Sequence, residues 1–468
     1  MSARGLMGRW SAQDIRRVAK IAWPTILENI MVIMVSFVDT AMVGQLGEDA
    51  TAAVAVNASP SWLLNGACAA IQVGATVLVA QAIGSRDREG ANKVARQAMT
   101  LGMCMGAFLM VLMMAISGWL PAALRAEARI VPVAAQYIRI VAASYIPHFT
   151  GLVISGILRG AGDTKTPMKV NLAANVVNII GNFFLIYEPR TVSIFGLSIP
   201  VWGAGLGVVG AAIPSAFSMA MVGVVLFIRV ARGAGDIRFE RHQSYRPRWN
   251  VVRNMLRIGM PAALERVCVN AGHMIFQTMV AGLGTASLAA HHLATTAESL
   301  SYMPAYGFGV SATTLVGQAV GAGDTESARR YGSLTILIGF IGMTCTGLVL
   351  MLFPEALLGM FTNAQDVIAL GAPALRVEAL AQPFFALSIV ASGALSGAGD
   401  TRTPMIIGLA CMWGVRLSVA ALCIYGFGMG LTGAWVGMAT DLTVRGILTF
   451  ARFRSPKWEK IAAVNVNA

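Results

Sequence analysis

The residues most able to do chemistry in this chain are ionisable groups inside long apolar stretches, and Asp39 is the first of them. It lies in the middle of the apolar stretch 19–45. A charged group at the centre of a bilayer costs roughly 3 kcal/mol or more unless it is paired or hydrated, so such residues mark ion or substrate pathways. A carboxyl group there can exchange a proton or take Na⁺ in its place. Asp39 is thus the leading ion-coupling candidate, and it binds a metal only if the ion is Na⁺. The alternative is a structural carboxylate that caps kinked backbone.

Three asparagines follow in the stretch 168–187, at Asn175, Asn178 and Asn182. Spacings of three and four residues place them on one face of a helix. Amides on such a face either orient a charged group or bind neighbouring helices together in lipid. The sequence leaves both interpretations open.

The second half of the chain carries its own acids, Glu265 and Glu298, with His291 about two helical turns before Glu298. Glu265 follows Pro261 by four residues, as Glu28 follows Pro24. This repetition favours a structural role for both, such as satisfying kinked backbone. Glu298 has no counterpart of this kind, so these residues form a candidate site in the C-terminal half.

Apolar stretches run through all 468 residues, of which 56% are hydrophobic and only 12% charged. A helix needs about 20 apolar residues to cross the hydrocarbon core. We count twelve such stretches: 19–45, 52–82, 91–119, 130–158, 168–187, 203–229, 255–282, 286–319, 330–353, 366–396, 404–426 and 431–451. The composition predicts an all-α, multi-pass integral membrane protein without a cofactor.

The 35 Lys and Arg residues concentrate on one side of the predicted membrane. They cluster in the N-terminal arm, in the central loop and after the even-numbered stretches. By the positive-inside rule both termini are cytoplasmic. The net charge of +13 therefore predicts contact with anionic lipid in the cytoplasmic (inner) membrane, not with nucleic acid.

A shift of 237 residues aligns the first half of the chain with the second. It superimposes Ser155–Met168 on Ser392–Met405, Gln81 on Gln318 and Pro24 on Pro261. Six helices per half is an even number, so the repeat is parallel, about an axis along the membrane normal. We predict an N-terminal six-helix bundle over 1–229, a cytoplasmic linker over 230–256 and a C-terminal bundle over 257–468, around a central cleft.

The tetrapeptide Gly-Ala-Gly-Asp occurs at 160–163, 233–236, 321–324 and 397–400. Glycine supplies positive φ, Asp or Thr caps the next helix, and Pro suits its first turn. We interpret these segments as turns between helices.

The chain resembles the MATE (multidrug and toxic compound extrusion) family of exporters. The resemblance covers nearly the whole sequence and is carried by Asp39-Thr40-Ala41-Met42-Val43-Gly44, Val79–Gly84, the two Gly-Ala-Gly-Asp-Thr-x-Thr-Pro loops, Gly259–Glu265 and Thr313–Gln318. It implies a monomer with a V-shaped cleft that exports cationic or amphipathic small molecules by alternating access, driven by H⁺ or Na⁺.

The resemblance also implies roles for single residues. Asp39 matches the key aspartate of the N-terminal half, and Asn178, Asn182 and Ser215 match positions around it. Pro24 matches a helix hinge. Some members have Asp where this chain has Asn182, which leaves the coupling ion open. Some branches have an acid where this chain has Phe385, so the DinF-like branch is favoured.

Two other functions remain as alternatives. A lipid-linked oligosaccharide flippase of the same superfamily would carry a cationic cleft and often extra helices. A membrane enzyme would need a metal-binding His-Glu-x-x-His motif or a nucleophile with its base, and neither arrangement stands out in this sequence.

Overall fold

The computed structural model describes residues 10–466 except 125, 195–196, 234–236, 238–244 and 246–247. Its helices are α1 (Ala12–Gly44), α2 (Glu48–Ala55), α3 (Ala58–Gly84), α4 (Arg88–Ile116), α5 (Leu120–Ala123), α6 (Val131–Ala142), α7 (Tyr145–Gly160), α8 (Lys165–Leu185), α9 (Gly207–Ala231), α10 (Trp249–Ala281), α11 (Thr285–Gly321), α12 (Thr325–Leu352), α13 (Pro354–Gly359), α14 (Gln365–Gly397), α15 (Arg402–Leu409), α16 (Leu417–Ala421), α17 (Gly430–Arg454) and α18 (Lys457–Val466). The strands β1 (Arg190–Ile194) and β2 (Leu197–Val201) lie between α8 and α9.

The twelve apolar stretches correspond to twelve helical segments in the described part of the chain. Eleven are single or π-interrupted helices of the set above, and α6 and α7 together form the twelfth, bent by 53° between Ala142 and Tyr145. Of the described helices, eight are long and apolar enough to cross a membrane, or nine with the bent pair. The remaining three segments are α10, α11 and α17. The predicted fold class, two six-helix bundles in a membrane, is confirmed.

Each half packs mainly on itself. In the first half α7 contacts α3, α4 and α9, and in the second α14 contacts α11, α12 and α17. The two halves meet where α3 packs along α10 and where α1 and α3 pack against α11. These contacts between the halves matter for any motion that separates them.

Both ends of the described chain pack at one end of the bundle. Trp10 and Val18 share an apolar cluster with Trp458 and Ala462. We call this end of the molecule the terminal end, and the other the opposite end.

The first helix begins with a capping box in which Ser11 and Asp14 bond each other's backbone N–H groups. It then runs through Pro24 to Gly44 as one helix. Pro24 lacks the N–H that would bond the preceding turn, so this position is a weak point where the helix can bend.

The Gly-Ala-Gly-Asp segments form turns, as predicted. Gly162 and Gly399 have φ of 90° and 87°. The carboxylates of Asp163 and Asp400 accept from the backbone N–H groups of Thr166 and Thr403 at the start of the next helices, at 3.0 and 3.2 Å. Three residues of the copy at 233–236 lie outside the described residues.

The predicted linker 230–256 is shorter in the structure, since α9 extends to Ala231 and α10 begins at Trp249. Much of the intervening segment, Arg241 included, lies outside the described residues. Ile237 is buried against the core of the first half. The division into bundles 1–229 and 257–468 stays a prediction.

A β-hairpin adds to the predicted all-helical fold. Its strands pair antiparallel from Arg190 opposite Val201 to Ile194 opposite Leu197. Thr191, Val192 and Ile194 are β-branched residues, which favour extended backbone over helix.

The eleventh segment is interrupted by two π-helical stretches, Ala410–Arg416 and Leu422–Gly426. A π-helical turn takes one extra residue into a helix and is frequent at functional sites. The first stretch ends at Arg416, a residue of the interior described next.

Candidate transport site

Asp39 lies on α1 facing the asparagines of α8. The side-chain nitrogen of Asn182 donates to Asp39 Oδ1 at 2.7 Å. Asp39 itself is half-buried, whereas Asn182 is buried. The structure therefore gives this carboxylate a fixed amide partner while leaving part of the Asp39 side chain accessible.

Asn178 lies one turn before Asn182 on the same face of α8. Of the two orientations of its amide, one satisfies both polar atoms: the nitrogen lies 2.9 Å from Asp39 Oδ1 and 3.2 Å from Oδ2, and the oxygen accepts from Ser215 Oγ at 3.2 Å. Ser215, on α9, thus orients the amide that contacts Asp39. The four residues predicted from the sequence and the resemblance do come together.

One oxygen in this pocket has no partner. Asn182 Oδ1 is buried and accepts no hydrogen bond within the described residues. A buried acceptor without a donor is costly, and beside a carboxylate it can coordinate a cation or accept from a protonated group. Asp39 and Asn182 Oδ1 are therefore the oxygen atoms that this pocket offers to a cation or a protonated group.

Tyr137 on α6 completes this pocket, and the sequence analysis missed it. Its hydroxyl lies next to Ser215 and within electrostatic reach of Asp39. A tyrosine on a short helix gives no sequence signal for such a role. Asn175, predicted on the same face as the other asparagines, makes no hydrogen bond to Asp39 among the described contacts.

The equivalent place in the second half is filled differently. Phe276, which the repeat aligns with Asp39, is buried, with its ring 5.7 Å from that of His291 and 5.7 Å from the guanidinium carbon of Arg416. His291 also packs edge-on against Trp435 at 5.8 Å. His291 is therefore an interior residue of an aromatic cluster.

Beside this aromatic cluster, Asp441 on α17 lies between two arginines. Arg416 Nε donates to its Oδ2 at 2.7 Å, and Arg445 NH2 donates to both oxygens at 2.8 and 2.7 Å. Asp441 is fully buried and Arg416 is 3% exposed. Arg416 NH1 also lies 3.5 Å from His273 Nδ1.

Two further carboxyl groups, Glu298 on α11 and Glu378 on α14, lie in the same interior and are both buried. Gln382 Nε2 donates to Glu378 Oε1 at 3.4 Å, and Gln382 Oε1 accepts from Ser301 at 2.9 Å. Glu298 lies near the side chain of Gln382 and near the guanidinium group of Arg416. Glu378 Oε2 has no partner among the described residues.

Glu28 and Glu265 occupy repeat-related positions but differ in their contacts. Glu28 accepts from Arg159 at 2.7 Å and Asn171 at 2.8 Å. Its described partners are thus side chains of α7 and α8 and not kinked backbone, and the structural role predicted for both residues stays a prediction. Glu265 is half-buried, and its nearby charges are Arg266 and Arg445.

The described residues contain no group of three or more His, Cys, Asp or Glu side chains that could hold a metal ion. We call the interior cluster of Glu298, Glu378, Arg416, Asp441 and Arg445 the C-terminal network. Their partners follow from the packing of α10, α14 and α17, which no spacing in the sequence reveals.

The sequence is similar to known transporter proteins over most of its length. The family model MatE matches the chain twice, over residues 24–184 and 261–422. The two matches begin at Pro24 and Pro261, the register of the internal repeat. A probable multidrug resistance protein NorM of Thermotoga maritima is 30% identical over 453 residues, covering 96% of this chain and 95% of its own. An uncharacterised transporter of Bacillus subtilis, YisQ, is 25% identical and covers 94% of each chain.

Solved structures show the same fold. A multidrug resistance MATE family transporter of the MOP superfamily, in an outward-facing conformation, superimposes with a TM-score of 0.86 at 21% identity, over 99% of each chain. A MOP superfamily transporter from Pyrococcus furiosus superimposes with a TM-score of 0.85. With its two copies of the family pattern and its full-length relatives, the chain belongs to the MatE family of membrane transporters.

Proposed function

We propose that the chain is an H⁺- or Na⁺-coupled antiporter that exports cationic or amphipathic small molecules by alternating access, with Asp39 as the coupling residue. One observation carries the proposal: a half-buried carboxylate inside a membrane bundle accepts a hydrogen bond from Asn182, whose own Oδ1 is buried and has no partner within the described residues. Binding of a cation or a proton stabilises such a group most, because it neutralises the carboxylate charge. A drug that competes for the same charge, or for the conformation that the charge selects, is then exchanged for the ion.

The names of the relatives support the substrate class. The Thermotoga maritima protein is described as a probable multidrug resistance protein. A flippase for lipid-linked oligosaccharides would need cationic groups to bind the pyrophosphate. The residues that meet at Asp39 are a carboxylate, two amides and a hydroxyl, so this pocket disfavours that alternative.

We propose that the protein is a monomer in the inner membrane. We also propose that its terminal end faces the cytoplasm. Arg17, Lys20, Arg86 and Arg88 lie at the terminal end of the bundle and are exposed, where anionic lipid head groups attract basic side chains. Pro24, inside α1 between this end and Asp39, is the proposed hinge.

The C-terminal network is the proposed second site. Three carboxyl groups, Glu298, Glu378 and Asp441, share an interior with two guanidinium groups, Arg416 and Arg445. An uncompensated buried charge is very unfavourable. We propose that a single proton on the Glu298–Glu378 pair balances the network, with His291 as an interior packing residue and Glu265 at its edge near Arg445.

Transport of a fluorescent cationic dye by inverted vesicles tests the proposal. A proton gradient or a sodium gradient is imposed alone, and one of them should drive dye movement that collapses when that gradient is dissipated. Dye movement that needs neither gradient would contradict ion-coupled antiport.

A further inference from the structure

The last turns of α3 and α11 carry nearly the same sequence, Gln-Ala-Ile-Gly over 81–84 and Gln-Ala-Val-Gly over 318–321. Gln81 Nε2 donates to the carbonyl oxygen of Gly397 at 3.1 Å. Gln318 Nε2 donates to the carbonyl oxygen of Gly160 at 3.2 Å. Each glutamine therefore reaches from its own half to the other half, and the two bonds are equivalent under the internal repeat.

The two carbonyl groups are available because of how α7 and α14 end. After Gly160, the N–H groups of the next three residues turn back to the carbonyls of Ile157, Leu158 and Arg159. The chain after Gly397 does the same. Within the described residues, neither the carbonyl oxygen of Gly160 nor that of Gly397 accepts a hydrogen bond from a backbone N–H group. The last carbonyls of a helix lack partners and carry partial negative charge, so a side-chain amide from the other half caps each of them.

The backbones of α3 and α11 touch at the same place. A Cβ atom on Gly84 would collide with the carbonyl of Gln318, and one on Gly321 would collide with the carbonyl of Gln81. Glycine is required at both positions for the helices to approach this closely. The terminal end is thus closed by direct backbone contact between the halves.

Further hydrogen bonds join the two halves around Gln318. Arg17 donates to Gln318 Oε1 at 3.3 Å, and Thr314 Oγ1 donates to the carbonyl oxygen of Arg159 at 2.9 Å. The repeat aligns Thr314 with Val77, which has no hydroxyl. At this end α11 therefore makes more side-chain hydrogen bonds across the interface than α3 does.

We propose that Gln81 and Gln318 form a two-part latch that holds the transporter closed at the terminal end, and so set the balance between its two conformations. The bonds join the halves directly, so they cannot survive a separation of the halves at this end. Water replaces them when the end opens. This inference rests on alternating access, but not on which ion or substrate is carried.

The test measures the distance between the halves. After the six cysteines are replaced, spin labels are placed at Ser85 and Ala322, which are exposed, equivalent by the repeat and adjacent to the latch. Pulsed electron–electron double resonance then gives the populations of closed and open forms. Methionine removes the donor at similar side-chain length, so Gln81→Met or Gln318→Met should raise the open-to-closed ratio about fivefold, the usual worth of one net hydrogen bond. The double variant should raise it roughly 25-fold, on the same basis for two bonds.

Gln72→Met is the matched control. Gln72 lies on the same helix as Gln81 and donates to the carbonyl oxygen of Leu152 at 3.1 Å, but within one half. It should leave the distance distribution unchanged. The double variant Gln81→Glu/Gln318→Glu sets a carboxylate against each carbonyl and should open the terminal end further than the methionine pair.

The latch is overturned if both double variants keep the wild-type distance distribution, or if Gln72→Met shifts it equally. This failure is distinct from failure of the proposed function. Wild-type protein that moves no dye under either gradient would refute antiport while leaving the distance measurement intact.

Discussion

In the first half the carboxyl group of Asp39 is held by amides and stays half-buried, whereas in the second half three carboxyl groups lie buried beside two guanidinium groups. The two halves share their helix order and turn geometry. They differ in the chemistry at the positions that face the interior. The common fold therefore does not need Asp39, since Phe276 fills its place in the second half.

One extra residue accounts for part of this difference. The second stretch that matches the family model is one residue longer than the first. The π-helical stretch Ala410–Arg416 is where an extra residue can be absorbed. With this extra residue counted, the repeat aligns Arg416 with Asn178. A guanidinium group in the second half therefore replaces the amide that faces the carboxylate in the first half. Function in a repeat protein of this kind lies in such departures from symmetry.

The largest expected effect is on stability in the second half. Arg416→Met leaves buried Asp441 with only Arg445, and breaking a buried ion pair typically costs about 3–5 kcal/mol. Thermal unfolding in detergent should show a clearly lower midpoint. Arg129→Met, which removes an exposed pair with Asp49 at the opposite end, should cost less than about 1 kcal/mol. Equal midpoints for the two variants would mean that the network does not stabilise the C-terminal half.

The next effect concerns coupling in the first half. Asp39→Asn keeps the shape of the side chain but cannot titrate or carry charge, so gradient-driven dye transport should fall about 100-fold, near the upper end of usual coupling free energies. The protein should still insert and fold. Asp49→Asn, the same change at an exposed site, serves as the control. Wild-type transport by Asp39→Asn would move the coupling site to Glu298 or Glu265.

A smaller effect on dye transport is expected from changing an acid of the second half. Glu298→Gln leaves two carboxyl groups facing two guanidinium groups, so the network is balanced without a proton. Dye transport should fall about tenfold and lose part of its pH dependence, because one coupling step no longer titrates. Glu355→Gln is matched to it, an exposed acid in the same half that pairs with Arg376 at 2.6 Å. A pH profile identical to wild type would show that the network holds no exchangeable proton.

The smallest effect should come from the amide that holds Asp39. Asn182→Ala removes one hydrogen bond to the carboxylate and should change the apparent affinity for the coupling ion about tenfold, without abolishing transport. The ion dependence of dye transport measures this change. Asn175→Ala, on the same helix, should change it little. Complete loss of transport in Asn182→Ala would make the amide part of the coupling group itself.

Much of this protein could be predicted from its sequence, for physical reasons that are local. Apolar stretches long enough for the bilayer define the helices, because every backbone group in lipid must bond within its own helix. The glycines and capping residues of the Gly-Ala-Gly-Asp segments define the turns. Asp39 stands out because a charge in an apolar stretch is too costly to be incidental.

The hairpin between α8 and α9, the π-helical interruption before Arg416 and the partners of Asp441 came only with the tertiary structure. So did the contacts of Gln81 and Gln318, which looked like ordinary residues near helix ends. These features depend on residues hundreds of positions apart meeting at one place. A hydrogen bond or ion pair depends on distances of a few ångströms, and spacing along a chain does not determine those distances once helices pack against one another.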